Sequence, residues 1–362
     1  MRKHRFRHLL ILLFLLLAGA AVVRVWFYIE GQVQPILVPM NQAYTGYSNL
    51  PKKVLGLHIE PFTFKGWDGG DMQAVLVSKE GEESSRQLTV MSDLSVNPVE
   101  KLGVIDYVLL CVDWDHGIRS ALPLAETLTA AGLRCVLWDP RGMDDRRPYC
   151  THGLRESQDV PLLIDALVAD SERPNPVIVA VGQGYGAGLL LRAAAHDKRI
   201  QGLAVIDAYA SLRQSVKRML PDSLLTPVVL ELMNLRMDRT VGMECFDVAP
   251  VEQASFIDRD VPVLVIHLTR DNPVCTLADS LTIYHRLCSD KREVWALLGG
   301  DGALPSLSPR QRDVLPDVKR LFDEETAMTS LVHWLDGPVA DAILSPRIAD
   351  PARPVPTSDL HL

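Results

Sequence analysis

A cluster of glycines is the part of the sequence that most directly invites a chemical interpretation. The segment Gly182-Gln183-Gly184-Tyr185-Gly186 directly follows the apolar run Val177–Val181 and directly precedes a helical pattern over Ala187–Ala195. Backbone N–H groups at a helix N-terminus can hold an anion or a developing oxyanion. Gly184 itself supplies no side-chain oxygen, and neither Gln183 nor Tyr185 is placed to accept an acyl group from its flanking position.

The same segment also satisfies a second pattern. Gly182-x-Gly184-x-x-Ala187 fits the dinucleotide fingerprint, and Asp207 ends the following strand where a ribose-binding acid would lie. A dinucleotide unit normally opens its sheet, however, whereas several strands precede this one. Dinucleotide binding therefore stays a minor alternative.

Candidate acids and bases are scattered along the chain. Asp271 follows the apolar strand pattern Val261–Ile266, and His333 lies inside a predicted helix, where a lone histidine is usually packed or solvated. Three other histidines are expected near strand ends or in loops: His116, His152 and His267. An acid without a base to orient has no role in a catalytic triad, so Asp271 alone predicts no catalysis.

The elements that must position these residues alternate between strand and helix. Apolar β-rich runs separated by amphipathic helices predict a mostly parallel sheet with helices on both faces. Residues 210–258 interrupt the alternation with two or three short helices, which predicts a small cap. The strands are expected at 54–64, 72–77, 107–112, 134–138, 177–181, 202–206, 261–266 and 293–298, and the helices at 122–131, 157–167, 187–195, 277–287 and 327–335.

Residues 55–336 resemble the α/β-hydrolases, in particular the membrane-associated serine-peptidase and esterase branch. No single marker is specific, but their order and spacing together are. The markers are Asp68-Gly69, His116-Gly117, Asp139-Pro140-Arg141-Gly142, Thr151-His152-Gly153 with Glu156 and Asp159-Val160, the glycine segment 182–186, and the strand Val261–Ile266 followed by Asp271, Pro273 and Val274.

The resemblance assigns a role to each position and shows which groups are lost. Gly184 stands where the G-x-S-x-G elbow carries its nucleophilic serine. Asp271 is at the acid position, and the Tyr185 amide and the loop near His116 are at the oxyanion positions. His116-Gly117 lies a few residues later than usual, after Asp113-Trp114-Asp115. The loop after the last predicted strand, 299–305, holds no histidine where the family has its base.

The N-terminus predicts a membrane segment. A basic cluster precedes Leu9–Ile29, a 21-residue apolar stretch interrupted only by Arg24, and this length spans a hydrocarbon core. Trp26 and Tyr28 suit the interface, and the positive-inside bias places residue 1 in the cytoplasm and the body outside it. The alternative is a cleaved signal peptide, since Ala18-Gly19-Ala20 offers a cleavage site within the run.

Charge and cysteine content exclude some classes of function. The net charge is −8, and the first 29 residues contribute +5, which leaves −13 for the rest of the chain. A body this acidic is a poor candidate for nucleic-acid binding. The six cysteines show no zinc-ligand spacing, and we expect neither a metal nor a cofactor.

These observations predict an organisation and a function. We expect an anchor at 1–30, a tether at 31–52, an α/β-hydrolase-like domain at 53–345 with its cap at 210–258, and a Pro-rich disordered tail at 346–362. The expected function is a catalytically inactive, membrane-tethered protein that binds a small molecule or a protein in the former active-site cleft. The alternative is an active hydrolase whose nucleophile or base has moved.

Overall fold

In the computed structural model, one mixed sheet forms the centre of the molecule. Its strand order is β1-β2-β3-β5-β4-β6-β7-β8-β9-β10. The strands are β1 Lys53–Val54, β2 Leu57–Lys65, β3 Asp71–Lys79, β4 Tyr107–Cys111, β5 Cys135–Trp138, β6 Ile178–Gln183, β7 Ile200–Ile206, β8 Val263–His267, β9 Arg292–Leu297 and β10 Val318–Leu321. The structure describes residues 2–38, 53–54, 56–79, 102–111, 118–141, 149–268, 272–297, 317–321 and 324–344.

Pairing within the sheet changes from antiparallel to parallel along the chain. Strands β1, β2 and β3 pair antiparallel, β3 also pairs antiparallel with β5, and the strands from β5 to β10 are parallel. All residues of the central strands β4, β5 and β8 are buried, because helices cover both faces of a parallel sheet. The predicted fold class is confirmed.

The helices fall into three groups. Helices α3, α4 and α8 pack on one face of the sheet, and α2 and α9 pack on the other. Three helices, α5, α6 and α7, lie within the segment 210–258 predicted as a cap. The bounds are α1 Arg2–Leu37, α2 Leu122–Ala130, α3 Asp159–Asp170, α4 Tyr185–His196, α5 Leu212–Met219, α6 Thr226–Val241, α7 Pro250–Ala254, α8 Leu277–Arg286, α9 Glu324–Trp334 and α10 Ala340–Leu344.

Strand β10 was not predicted from the sequence. Its four residues, Val-Lys-Arg-Leu, lack the apolar run of the central strands, and it pairs only with β9 at the edge of the sheet. Charged side chains on an edge strand oppose pairing with other chains, which explains its composition. The sequence predicted β9 as the last strand, whereas in the structure β10 follows it. The segment 298–316 between the two lies outside the described residues.

Helix α1 continues beyond the predicted membrane segment. Residues 31–37, which the sequence analysis places in a tether, extend the same helix. Side-chain exposure changes abruptly along it, from 70% at Phe27 to 4% at Ile29. Ile29, Val33 and Ile36 follow helical spacing and pack on the cap. Residues 16–28 of α1 are thus mostly exposed and apolar, and the part from Ile29 onward belongs to the globular domain.

Candidate functional site

The glycine segment 182–186 forms a sharp turn between β6 and α4. Gly184 has φ 55° and ψ −115°, a backbone conformation that residues other than glycine rarely adopt. Its N–H donates to the carbonyl of Ile206 on the neighbouring strand at 2.8 Å. The positive φ is the one that a nucleophile elbow requires, and the geometry is that of a strained strand-to-helix turn of this kind.

The outer glycines of the segment are required by close backbone approach. A Cβ atom at Gly186 would lie 2.1 Å from the carbonyl oxygen of Cys111 on β4. A Cβ at Gly182 would lie 2.6 Å from Cα of Ala187 on α4. Both glycines therefore keep the turn tight against the sheet. Close backbone packing therefore explains both glycines, and no nucleotide-binding role is needed to account for them.

Asp207, the acid of the dinucleotide alternative, is engaged inside the protein. Its Oδ1 accepts a hydrogen bond from the N–H of Leu268 at 2.8 Å and lies 3.2 Å from Nδ1 of His267. Asp207 and His267 are both buried, at the carboxyl ends of β7 and β8. The buried Asp207 carboxylate thus ties the ends of two strands together.

A buried ion-pair network joins three of the sequence markers. Arg141 donates from Nε and Nη2 to the two carboxylate oxygens of Asp159, at 2.6 and 2.7 Å. It also donates from Nη1 and Nη2 to Asp68, at 2.6 and 2.9 Å. Burial lowers the pKa of Arg141, but the hydrogen bonds and charges of Asp159 and Asp68 outweigh it and raise the pKa. Arg141 therefore stays charged and connects the β2–β3 turn to helix α3.

A second marker, Thr151-x-Gly153-x-x-Glu156, folds around its own carboxylate. Glu156 accepts hydrogen bonds from the N–H and the Oγ1 of Thr151 and from the N–H of Gly153, at 2.6, 2.5 and 2.8 Å. Burial raises the pKa of Glu156, and these hydrogen bonds lower it. The carboxylate holds the loop closed where Gly153 contacts Leu189 of α4. The residues of this motif have a structural role beneath the elbow helix.

His152 connects this loop to the N-terminal helix. It is buried, with φ 53°, and its Nε2–H donates to the carbonyl of Ile36 at 3.0 Å. The N–H of Cys150 donates to the carbonyl of Leu37 at 2.8 Å. These two N–H groups satisfy backbone carbonyls at the C-terminus of α1, where a helix has no internal donors for them. Burial lowers the pKa of His152 to about 4, so it is neutral at pH 7.

Above the elbow lies a cavity of about 420 Å³, a size typical of sites for small ligands. Tyr185, the residue after Gly184, lines this cavity. The Tyr185 ring lies edge-on to the His152 ring, with the two ring centroids 6.0 Å apart. Helices α5 and α6 and the end of α1 form other walls. The contribution of α1 was not predicted from the sequence, although the spacing of Ile29, Val33 and Ile36 is that of a continuing amphipathic helix.

Comparison with known proteins rests on structure alone. No family model matches the sequence, and no curated protein matches it. Two crystal forms of an esterase from Pyrococcus furiosus align with TM-scores of 0.51 and 0.52 at 15% identity. The alignments cover 79% and 82% of this chain and 95% and 96% of the esterase. The chain has the α/β-hydrolase fold.

A peptidase with this fold aligns as well. An acylaminoacyl peptidase from Pyrococcus horikoshii matches 81% of this chain and 44% of its own, with a TM-score of 0.49 and 16% identity. The esterase alignments, at 15% identity, show the fold and nothing about substrates. Whether the protein can catalyse a reaction depends on the residues at the positions where this fold carries its catalytic groups.

Those positions can be compared with the sequence predictions one by one. Gly184 occupies the elbow, and Tyr185 begins α4 directly after it. His116 and Asp271, predicted for the oxyanion loop and the acid position, lie outside the described residues. His333 lies on the exposed side of α9. The β9–β10 connection, 298–316, contains no histidine in its sequence, so no base is encoded where an α/β-hydrolase would carry it.

Proposed function

We propose that this protein is a membrane-anchored α/β-hydrolase-fold protein that has lost catalysis and binds a ligand in the cleft between elbow and cap. The observation that carries the proposal is Gly184, which keeps the backbone of an elbow at φ 55° without a side-chain oxygen. Acyl transfer by this fold needs a nucleophilic oxygen and a histidine to take its proton. Neither is encoded at its position, whereas the cavity above the elbow is retained.

Anchoring is supported by the N-terminal helix. Leu16–Leu37 forms the one helix of the described residues that is long and apolar enough to cross a membrane. Phe14, Leu17, Val22 and Phe27 each expose more than half of their side chains, which favours contact with lipid over water. The basic residues before this segment favour a cytoplasmic N-terminus with the domain on the opposite side.

The loss of catalysis is tested by activity-based labelling and by turnover. We expect that a fluorophosphonate probe leaves the full-length protein unlabelled in detergent micelles, and that short acyl esters and amino-acyl amides are not turned over. Gly184→Ser alone restores no activity, because the β9–β10 connection provides no base. The double variant Gly184→Ser with Ala303→His is the informative comparison, since any weak activity should require both changes.

An active hydrolase with a relocated base is the second candidate, and one close approach favours it. The Nδ1 atom of His267 lies 3.2 Å from Oδ1 of Asp207, although without the hydrogen bond by which a carboxylate orients the base of a catalytic triad. Robust ester turnover by the wild-type protein that His267→Gln abolishes would support this candidate and contradict the inactive one. The hydroxyl of Ser215, in the cavity wall, donates to the carbonyl of Val274 at 2.6 Å, which does not favour it as a nucleophile.

Anchoring is tested by fractionation. We expect full-length protein, starting at residue 1 or 2, to stay in the membrane pellet after a carbonate wash. A soluble protein that begins near Ala21 would instead indicate a cleaved signal peptide. N-terminal sequencing of both fractions distinguishes the two outcomes.

A further inference from the structure

The chemical character of the cavity restricts its ligand. None of the described residues that line it carries a formal charge. Most of the described wall is aliphatic or thioether, including Ile36, Leu212, Val216, Leu220 and Met233, and its polar side chains are uncharged. The described part of the wall therefore offers no ion-pair partner for a charged substrate, and burying an unpaired charge is costly. Such a wall favours a hydrocarbon ligand.

The position of the cavity relative to α1 identifies where that ligand could come from. Gly31, Pro35 and Ile36 line the cavity, and they follow the exposed apolar part of the same helix after only a few residues. At 1.5 Å per residue, Gly31 lies about 5 Å along the helix axis from Tyr28. A helix that crosses the bilayer thus runs directly into the wall of the cavity.

The cap continues the apolar surface of α1. Arg236 of α6 donates to both carboxylate oxygens of Glu30 at 2.8 and 3.0 Å, and its guanidinium lies 5.7 Å from the Trp26 ring. These contacts hold α6 beside the part of α1 where lipid exposure ends. On α6 and the loop before it, large apolar side chains face outward instead of toward the core: Leu224, Leu225, Val228, Leu232 and Leu235. We call these five residues the cap stripe.

Met219 links the outer surface to the interior. It ends α5, is 55% exposed, and also lines the cavity. Five residues later Leu224, the first residue of the cap stripe, is 99% exposed. An entrance beside Met219 would therefore lie close to the cap stripe.

We propose that the cap stripe rests on the bilayer and that the cavity takes up one hydrocarbon chain of a membrane lipid through the entrance beside Met219. This inference rests on the proposed function, since it names the class of ligand for the same cleft. The occupant is a lipid rather than a protein because α6, which carries most of the stripe, packs against the helix that we propose enters the membrane. The uncharged side chains of the described wall suit an acyl chain whose head group remains at the interface.

The test uses full-length protein reconstituted in phosphatidylcholine vesicles that contain a phosphatidylcholine with a photoreactive diazirine on one acyl chain. After irradiation, cross-linked peptides are mapped by mass spectrometry. We expect adducts on α1 from direct bilayer contact, and further adducts on the α5 and α6 peptides that line the cavity. Met219→Glu places a charge at the entrance and should lower the cavity adducts by about tenfold, while the α1 adducts remain.

Phe256→Glu is the matched control. Phe256 is 65% exposed and is not part of the cavity wall, so its variant should keep all adducts. Circular dichroism of both variants shows that the fold is intact. Adducts confined to α1 in the wild-type protein, or cavity adducts unaffected by Met219→Glu, would overturn the inference. Neither result bears on catalysis.

The same vesicles separate this inference from the proposed function. Fatty acid released from the lipid during incubation would contradict the inactive assignment, yet it would support a lipid chain in the cavity. Cavity adducts without released fatty acid support both the loss of catalysis and the lipid inference. If neither cavity adducts nor released fatty acid are found, only the lipid inference is overturned.

Discussion

Two regions that carry hydrolase-like motifs differ in what they retain. In the loops around Arg141 and Glu156, the ion pairs of Arg141 with Asp159 and Asp68 and the Thr151–Glu156 hydrogen bonds are complete. At the start of helix α4, the elbow keeps its backbone at Gly184 but carries no nucleophile. Most of the motifs by which this sequence resembles a hydrolase therefore stabilise the scaffold. Their presence is evidence for the fold and carries no information about activity.

The strongest test of this comparison removes the centre of the scaffold network. Arg141→Met leaves Asp159 buried without its ion-pair partner, and we expect a loss of about 3–5 kcal/mol in the free energy of unfolding. Urea denaturation of the full-length protein in micelles measures it. Lys65→Met is the control, because Lys65 and its partner Asp71 are 70% and 58% exposed, and such a surface ion pair should contribute at most about 1 kcal/mol. Equal losses for the two variants would contradict a special role for the network.

The junction of the scaffold loop with α1 should respond to pH. The pKa of His152 falls from 6.5 to about 4 on folding, so the unfolded chain binds the proton more tightly. Its contribution to stability is complete above pH 6.5 and is lost as the pH falls toward 4. This corresponds to about 3 kcal/mol. Glu156, whose pKa is raised by burial, acts in the opposite direction over the acidic part of this range.

His152→Asn separates the two contributions. Asparagine tolerates the positive φ at this position and does not titrate, while Glu156 is retained. We expect the stability of the wild-type protein to fall more steeply between pH 6.5 and 4.5 than that of the variant, in urea titrations at each pH. Parallel pH profiles would show that His152 does not titrate as its burial implies.

The smallest expected effect concerns the elbow backbone itself. Gly184→Val forces a β-branched residue to φ 55°, and we expect a loss of about 1–3 kcal/mol. Gly103→Val is the control, since Gly103 has ordinary φ and no atom within 4 Å of an added Cβ. A cost at Gly184 no larger than at Gly103 would mean that the turn relaxes when the glycine is replaced.

The sequence predicted the elements of the central sheet because their signals are local. Buried parallel strands such as β4 and β8 appear as continuous apolar runs, and α4 and α8 show helical periodicity within a single window. Strand β10 was missed because an edge strand of four residues with Lys319 and Arg320 has no apolar run. The continuation of α1 to Leu37 was missed because Glu30, Gln32 and Gln34 make the segment look like a polar tether.

The sequence by itself determined the fold class and the absence of a side-chain oxygen at position 184, since glycine has no oxygen on its side chain in any conformation. Tertiary structure alone decided how the cleft is enclosed. The contacts that place α1 in its wall join residues far apart in the chain, Ile36 with His152 and Glu30 with Arg236. No local pattern encodes such pairs, because their partners come together only when the sheet, the cap and the N-terminal helix have packed.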